Sequence, residues 1–295
     1  MRLLILCLLI SSCTFAQQNK QQLAFSYYTN GEYAKAITIY QELEKENFSV
    51  SYYIHYFSSL LENSNYKAAE KLARKLSKIY PRSLSYQLEI GIAQEKSGNQ
   101  RKADYTYKKV LMQLTGQQSQ AINLANTFIR YNLYRAALNV YHQVEEINLE
   151  ASFCIQKAQL YEYLNNTDLM INEYLNALKN NPSRKQFVMS KVQRFLNNDG
   201  IKSEKNYQLV KKQLLPFVRQ ERSRADFSEI LIWLFMQNTQ YKMALLQAKA
   251  LDRRLDFDGE GVYDLGDSFL NSKNYNLAVE AYDYVIEKGD KITLK

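Results

Sequence analysis

A chain of 295 residues, 46% of them hydrophobic, is long enough to bury a sizeable core and would ordinarily make one or two domains. Three prolines and nine glycines are too few for an all-β protein, which needs a turn roughly every ten residues. The formal net charge of +8 raises nucleic acid as a partner. The positive residues are instead spread along helical stretches with acids interspersed, as at Lys67, Lys71, Arg74, Lys75 and Lys78. That is a solvated helix face, and no nucleic acid is expected.

The first sixteen residues stand apart. Met1 and Arg2 make a short positive start, Leu3 to Ile10 is unbroken apolar sequence, and Ser11 to Ala16 is small and mostly polar. This is the anatomy of a secretory signal, too short to span a bilayer as a helix, so export to the periplasm or an outer-membrane-associated site is expected. Thr14-Phe15-Ala16 offers a signal-peptidase site that releases a soluble protein from Gln17. Ile10-Ser11-Ser12-Cys13 resembles a bacterial lipobox, in which lipidated Cys13 would be the one membrane anchor. Phe15-Ala16-Gln17 is similar to export sites of the Bacteroidetes lineage, which favours the soluble product. Either way Cys154 is the lone thiol of the mature chain, no intramolecular disulfide can form, and stability must come from packing.

From residue 17 onward the chain repeats itself. Asn30–Ala36, Ser64–Ala69, Gly98–Ala103, Asn132–Ala137, Thr239–Ala244 and Lys273–Ala278 align. A turn position recurs at Tyr33, Tyr66, Gln100, Tyr134, Thr167, Tyr241 and Tyr275, spaced by roughly 34 residues with one gap of about two units. Ahead of each turn, apolar residues fall at helical spacing, as in Tyr53, Phe57 and Leu60, or Ala121, Ala125 and Phe128. The pattern resembles the tetratricopeptide-repeat family. Its small eighth position is Ala24, Gly91, Ala125, Ala158 and Gly266, and its twentieth is Ala36, Ala69, Ala103, Ala137, Ala244 and Ala278. The twenty-fourth is Tyr40, Tyr107, Tyr141, Tyr174 and Tyr282, and Pro81 and Pro182 stand where a second helix stops. Where the eighth position is large, Phe57 and Ile232, the twenty-fourth shrinks to Ala73 and Ala248, as close packing demands if the two positions share a layer. The resemblance implies an all-α, right-handed superhelical solenoid of stacked antiparallel helix pairs. Five repeats fill residues 17–182 and two more fill residues 225–290.

Between them, residues 183–224 keep helical periodicity through Phe187, Met189, Val192, Phe195 and Leu196, then break at Asn197–Gly200. A second helix is expected from Ser203 to Leu215, ahead of Pro216. The stretch reads as a degenerate, lengthened repeat that bends the stack, or as a boundary between two sub-arrays. After the last repeat, whose final helix is expected to end near Lys288, comes a tail over residues 291–295. An array normally closes with a polar capping helix, so the chain is either part of something longer or docks its end onto a partner.

Chemistry is sparse. His55 and His142 lie in different repeats with no ligand cluster, and there is no phosphate-cradling loop, nucleophile elbow or paired-cysteine motif. Cys154 reads as a buried, inert thiol. Asp256, Asp258 and Glu260 open a segment that resembles a calcium loop, but the repeat register puts Gly261 to Asn271 in a helix and pulls Asp264 and Asp267 out of it. Asp256 or Asp258 then simply caps that helix, and neither metal nor cofactor is expected.

The family resemblance assigns ligand contact to the first helices. Ile54, Leu88, Ile122 and Ile155 form an apolar ridge, flanked by Ser58, Asn126 and Gln159 with Ile92 as an exception, and by the variable Arg130 and Tyr163. Lysines that clamp a terminal carboxylate in chaperone-binding members are missing from this ridge. An apolar or amphipathic segment of a partner protein, helical or extended, is the expected ligand, with simple packing of repeat on repeat as the other reading. The expectation is a non-catalytic, protein-binding scaffold of the bacterial cell envelope. The alternative is a docking module of a longer envelope enzyme or carbohydrate-handling protein whose active region lies beyond residue 295.

Overall fold

The computed structural model describes residues 19–46, 49–197 and 204–293. The signal expected over residues 1–16, Cys13 included, lies outside the described residues. Apart from two single 3-10 turns, every regular element described is an α-helix. Paired by their short connections, they are α1 (residues 19–29) with α2 (Tyr33–Glu46), α3 (Tyr53–Glu62) with α4 (Tyr66–Ile79), and α5 (Leu84–Lys96) with α6 (Gln100–Leu111). Next come α7 (Gln118–Arg130) with α8 (Tyr134–Ile147) and α9 (Cys154–Tyr163) with α10 (Thr167–Asn180). The last are α11 (Lys185–Leu196) with α12 (Glu204–Gln220), α13 (Asp226–Gln237) with α14 (Tyr241–Leu255), and α15 (Glu260–Asn271) with α16 (Tyr275–Thr293). The chain is therefore all-α, built of antiparallel helix pairs, as the repeat register requires.

In seven of the eight pairs the turn lies among the described residues and has one local cause. The residues at Gly31, Ser64, Gly98, Asn132, Asn165, Thr239 and Lys273 all have positive φ. In each turn the next amide reaches five residues back, as Asn65 N–H to the Leu60 carbonyl and Gln240 N–H to the Phe235 carbonyl. The left-handed residue's own amide reaches three back, as Ser64 N–H to the Leu61 carbonyl. These paired hydrogen bonds satisfy carbonyls that the ending helix leaves without partners and reverse the chain in two residues.

The small and large positions of the repeat meet in the α5–α6 and α15–α16 pairs. A Cβ on Gly91 would lie 2.5 Å from a ring carbon of Tyr107, and one on Gly266 would lie 2.7 Å from a ring carbon of Tyr282. Where the sizes are exchanged, Phe57 and Ala73 are both fully buried. Either order of large and small is thus buried.

The chain divides after Ser152 into two compact units. In the first, Tyr40, Phe57, Leu60, Leu76 and Phe128 are among the fully buried side chains. In the second, one apolar cluster joins Tyr174, Val192, Leu214, Phe227 and Leu234, and another joins Leu245, Val262, Phe269 and Ala281. No described helix is long and apolar enough to cross a membrane.

Two boundaries differ from expectation. The second helix of the degenerate repeat does not stop at Pro216; α12 carries the proline inside it and continues to Gln220. Leu214, Phe217 and Val218 are buried around it, and their burial offsets the one helical hydrogen bond a proline removes. The last helix likewise runs on past Lys288 to Thr293.

Candidate functional site

In the first unit a groove of about 560 Å³ opens between α3, α5, α7 and the segments leading into them. One wall is a polar stripe on α7, where Ser119, Asn123, Asn126 and Arg130 follow one another at helical spacing. The carboxamides of Asn123 and Asn126 are exposed and carry no hydrogen bond among the described residues. Val50 and Ile54 also line the groove, and Ile54 is 39% exposed.

Glu89 of α5 sits at the base of this groove with only 1% of its surface exposed. Tyr53 donates its hydroxyl to one carboxylate oxygen at 2.6 Å, and Tyr131 donates to the other at 3.0 Å. Arg130 approaches that second oxygen at 3.3 Å. Burial pushes the Glu89 carboxyl up to about 7, against the opposing pull of the two hydroxyls and the guanidinium. Burial beside this carboxyl also pushes both tyrosine hydroxyls well above their ordinary range, so they remain donors. The Tyr53 ring packs edge-on to Tyr86 at 5.1 Å and stacks on Phe57 at 5.8 Å, which fixes its hydroxyl. One acid thereby ties α3, α5 and the end of α7 together.

The expected contact residues divide. Ile54, Asn126 and Arg130 line the groove together. Ser58 and Ile122 are half-buried and do not line it. Leu88 is a correction: it is fully buried and belongs to the core, not to an exposed ridge. The cause is α5 itself, which is buried at every position from Leu88 to Gln94, because α4, α6 and α7 all pack against it. Ile155 is half-buried and Gln159 and Tyr163 are exposed on α9, in the second unit. Glu89, Tyr53, Tyr131 and Asn123 were not expected. A signal for Glu89 does exist in the sequence, as a lone acid inside the apolar run Leu88 to Ala93.

The other residues singled out have structural roles. His55 lies against the rings of Phe25 and Tyr28, at 4.7 and 5.2 Å, and burial lowers its pKa. Cys154 is buried. Asp256 takes the left-handed position that ends α14, and Asp258 accepts the Glu260 N–H at 3.0 Å as α15 begins. Asp264 and Asp267 lie within α15, and Asp267 accepts the Tyr282 hydroxyl at 2.6 Å. Among the described residues no three acid, histidine or cysteine side chains are placed to hold a metal.

Repeats of this length, with small-on-tyrosine layers and turns closed by paired hydrogen bonds, invite comparison with known proteins. Residues 21–47 match the family model of the tetratricopeptide repeat. Similar solved structures include the C-terminal part of a TPR repeat-containing protein from Cytophaga hutchinsonii. It shares 14% identity at a TM-score of 0.32, over 79% of this chain and 94% of that one. A human IFIT1 dimer with PPP-AAAA is similar at 13% identity and a TM-score of 0.31, over 92% of this chain and 72% of that one. No curated protein matches the chain.

Proposed function

We propose that the chain is a non-catalytic tetratricopeptide-repeat scaffold of the bacterial cell envelope, which holds a partner protein by an extended segment laid along the groove between α3, α5 and α7. The observation that carries this reading is the pair of exposed, unpaired carboxamides at Asn123 and Asn126 in one groove with apolar Ile54. A carboxamide both donates and accepts, so each can pair with a backbone amide of a bound strand whatever its side chains. Ile54 and Val50 offer apolar contact to those side chains, so the ligand is amphipathic rather than wholly apolar. Rigid helices tied together through Glu89 present this surface with little ordering cost. Export to the periplasm or an outer-membrane-associated site rests on residues 1–16 alone, with the soluble product favoured over a Cys13 lipoprotein.

The test is capture from an envelope extract by the parent protein and by Asn123→Leu with Asn126→Leu. Both positions are exposed and leucine is a good helix former, so helicity should be unchanged. Capture should fall about tenfold or more, the effect of losing two hydrogen-bonding groups. Equal capture by parent and variant, at equal helicity, rules the groove out.

A further inference from the structure

The second unit carries a different groove, of about 1090 Å³, between α13, α14 and α15. Its floor is apolar, with Ile232, Trp233, Met236, Leu251, Val262 and Leu265, and the half-exposed Phe257 stands at one edge. Five carboxylates also line it and no cation does. Two of the five are already neutralised, Glu229 by Lys185 and Asp252 by Lys288. Asp258, Glu260 and Asp264 are exposed and have no ion pair among the described residues.

This is an apolar trough with a one-sided negative margin. Water solvates the carboxylates but not the floor, and the groove is larger than most small-molecule clefts, which run to about 1,000 Å³. An occupant must bring apolar side chains on one face and positive charge beside them. We propose that this groove docks a cationic amphipathic helix of a partner protein, leucine-like residues on Trp233 and Met236 and lysines or arginines against Asp258, Glu260 and Asp264. The site lies on other helices than the α3–α5–α7 groove and is tested independently of it.

Trp233 is the only tryptophan in the chain and sits in the groove, so its emission reports occupancy directly. The probe is a synthetic leucine–lysine peptide in helical register, with a leucine–glutamate peptide of the same register as its counterpart. The lysine peptide should shift Trp233 emission saturably, and salt should weaken the response. Asp258→Asn with Glu260→Gln and Asp264→Asn should weaken it about tenfold, since three margin charges are each worth a fraction of a kcal/mol. The first of these changes keeps a side-chain acceptor for the Glu260 amide, so α15 still begins where it does. Equal binding of the glutamate peptide, unchanged affinity of the triple variant, or no saturable response overturns the proposal. So does Trp233 emission that changes with protein concentration alone, which would mean that a second copy fills the groove.

Discussion

Glu89 is the residue on which the first unit's site turns, and its charge state is tied to stability. A carboxyl raised from 4.5 to about 7 by burial favours the protonated form in the folded chain. Its contribution is therefore complete below pH 4.5 and is lost as pH rises through about 7, a loss on the order of 3 kcal/mol. Glu89→Gln keeps the shape, never ionises, and should remove this slope, melting higher than the parent at about pH 8. The check is the melting temperature of both proteins from acid through that pH, and parallel curves would contradict the assignment. Leu88 beside it shows why single positions were hard to place from sequence. Helical spacing marks which residues share a face, but α5 is covered on nearly all sides, so its faces are not divided into core and solvent. The acid among its apolar neighbours was the visible clue, and only the fold could bring Tyr53 and Tyr131 to it.

At the scale of the element, the pairing of a small residue with a tyrosine was fully legible. The size-exchanged Phe57 and Ala73 are both buried, as a layer that holds the summed volume of the pair constant requires. Gly91→Phe alone should be destabilising by about 1–3 kcal/mol through overpacking against Tyr107. Joined to Tyr107→Ala, which copies the Phe57–Ala73 arrangement, the same change should lose clearly less than the two single changes summed. Denaturant unfolding of the parent, the two single variants and the double variant measures the coupling, and strict additivity would refute the shared layer. The end of α12 is not legible in the sequence, because burial of Phe217 and Val218 carries the helix past proline's usual stop.

Across the whole molecule, the fold was readable because each pair is local: two helices and a turn repeat at a spacing that the sequence itself displays. Groove chemistry was less so, since it depends on which side chains neighbouring repeats leave uncovered. The left-handed turns are not equal in cost. Their occupants run from Gly31 and Gly98, for which positive φ is free, through Asn132 and Asn165, to Ser64, Thr239 and Lys273, for which it costs roughly 1–2 kcal/mol each. Three strained turns thus close α3–α4, α13–α14 and α15–α16, and α13, α14 and α15 are the helices around Trp233. Local opening should therefore be easiest there, with amides of α15 and α16 exchanging with deuterium faster than those of α7 and α8, and Thr239→Gly slowing exchange in α13 and α14. Uniform protection along the chain would deny this gradient. If it holds, whatever fills that last trough does more than dock: it also latches shut helices whose own turns hold them loosely.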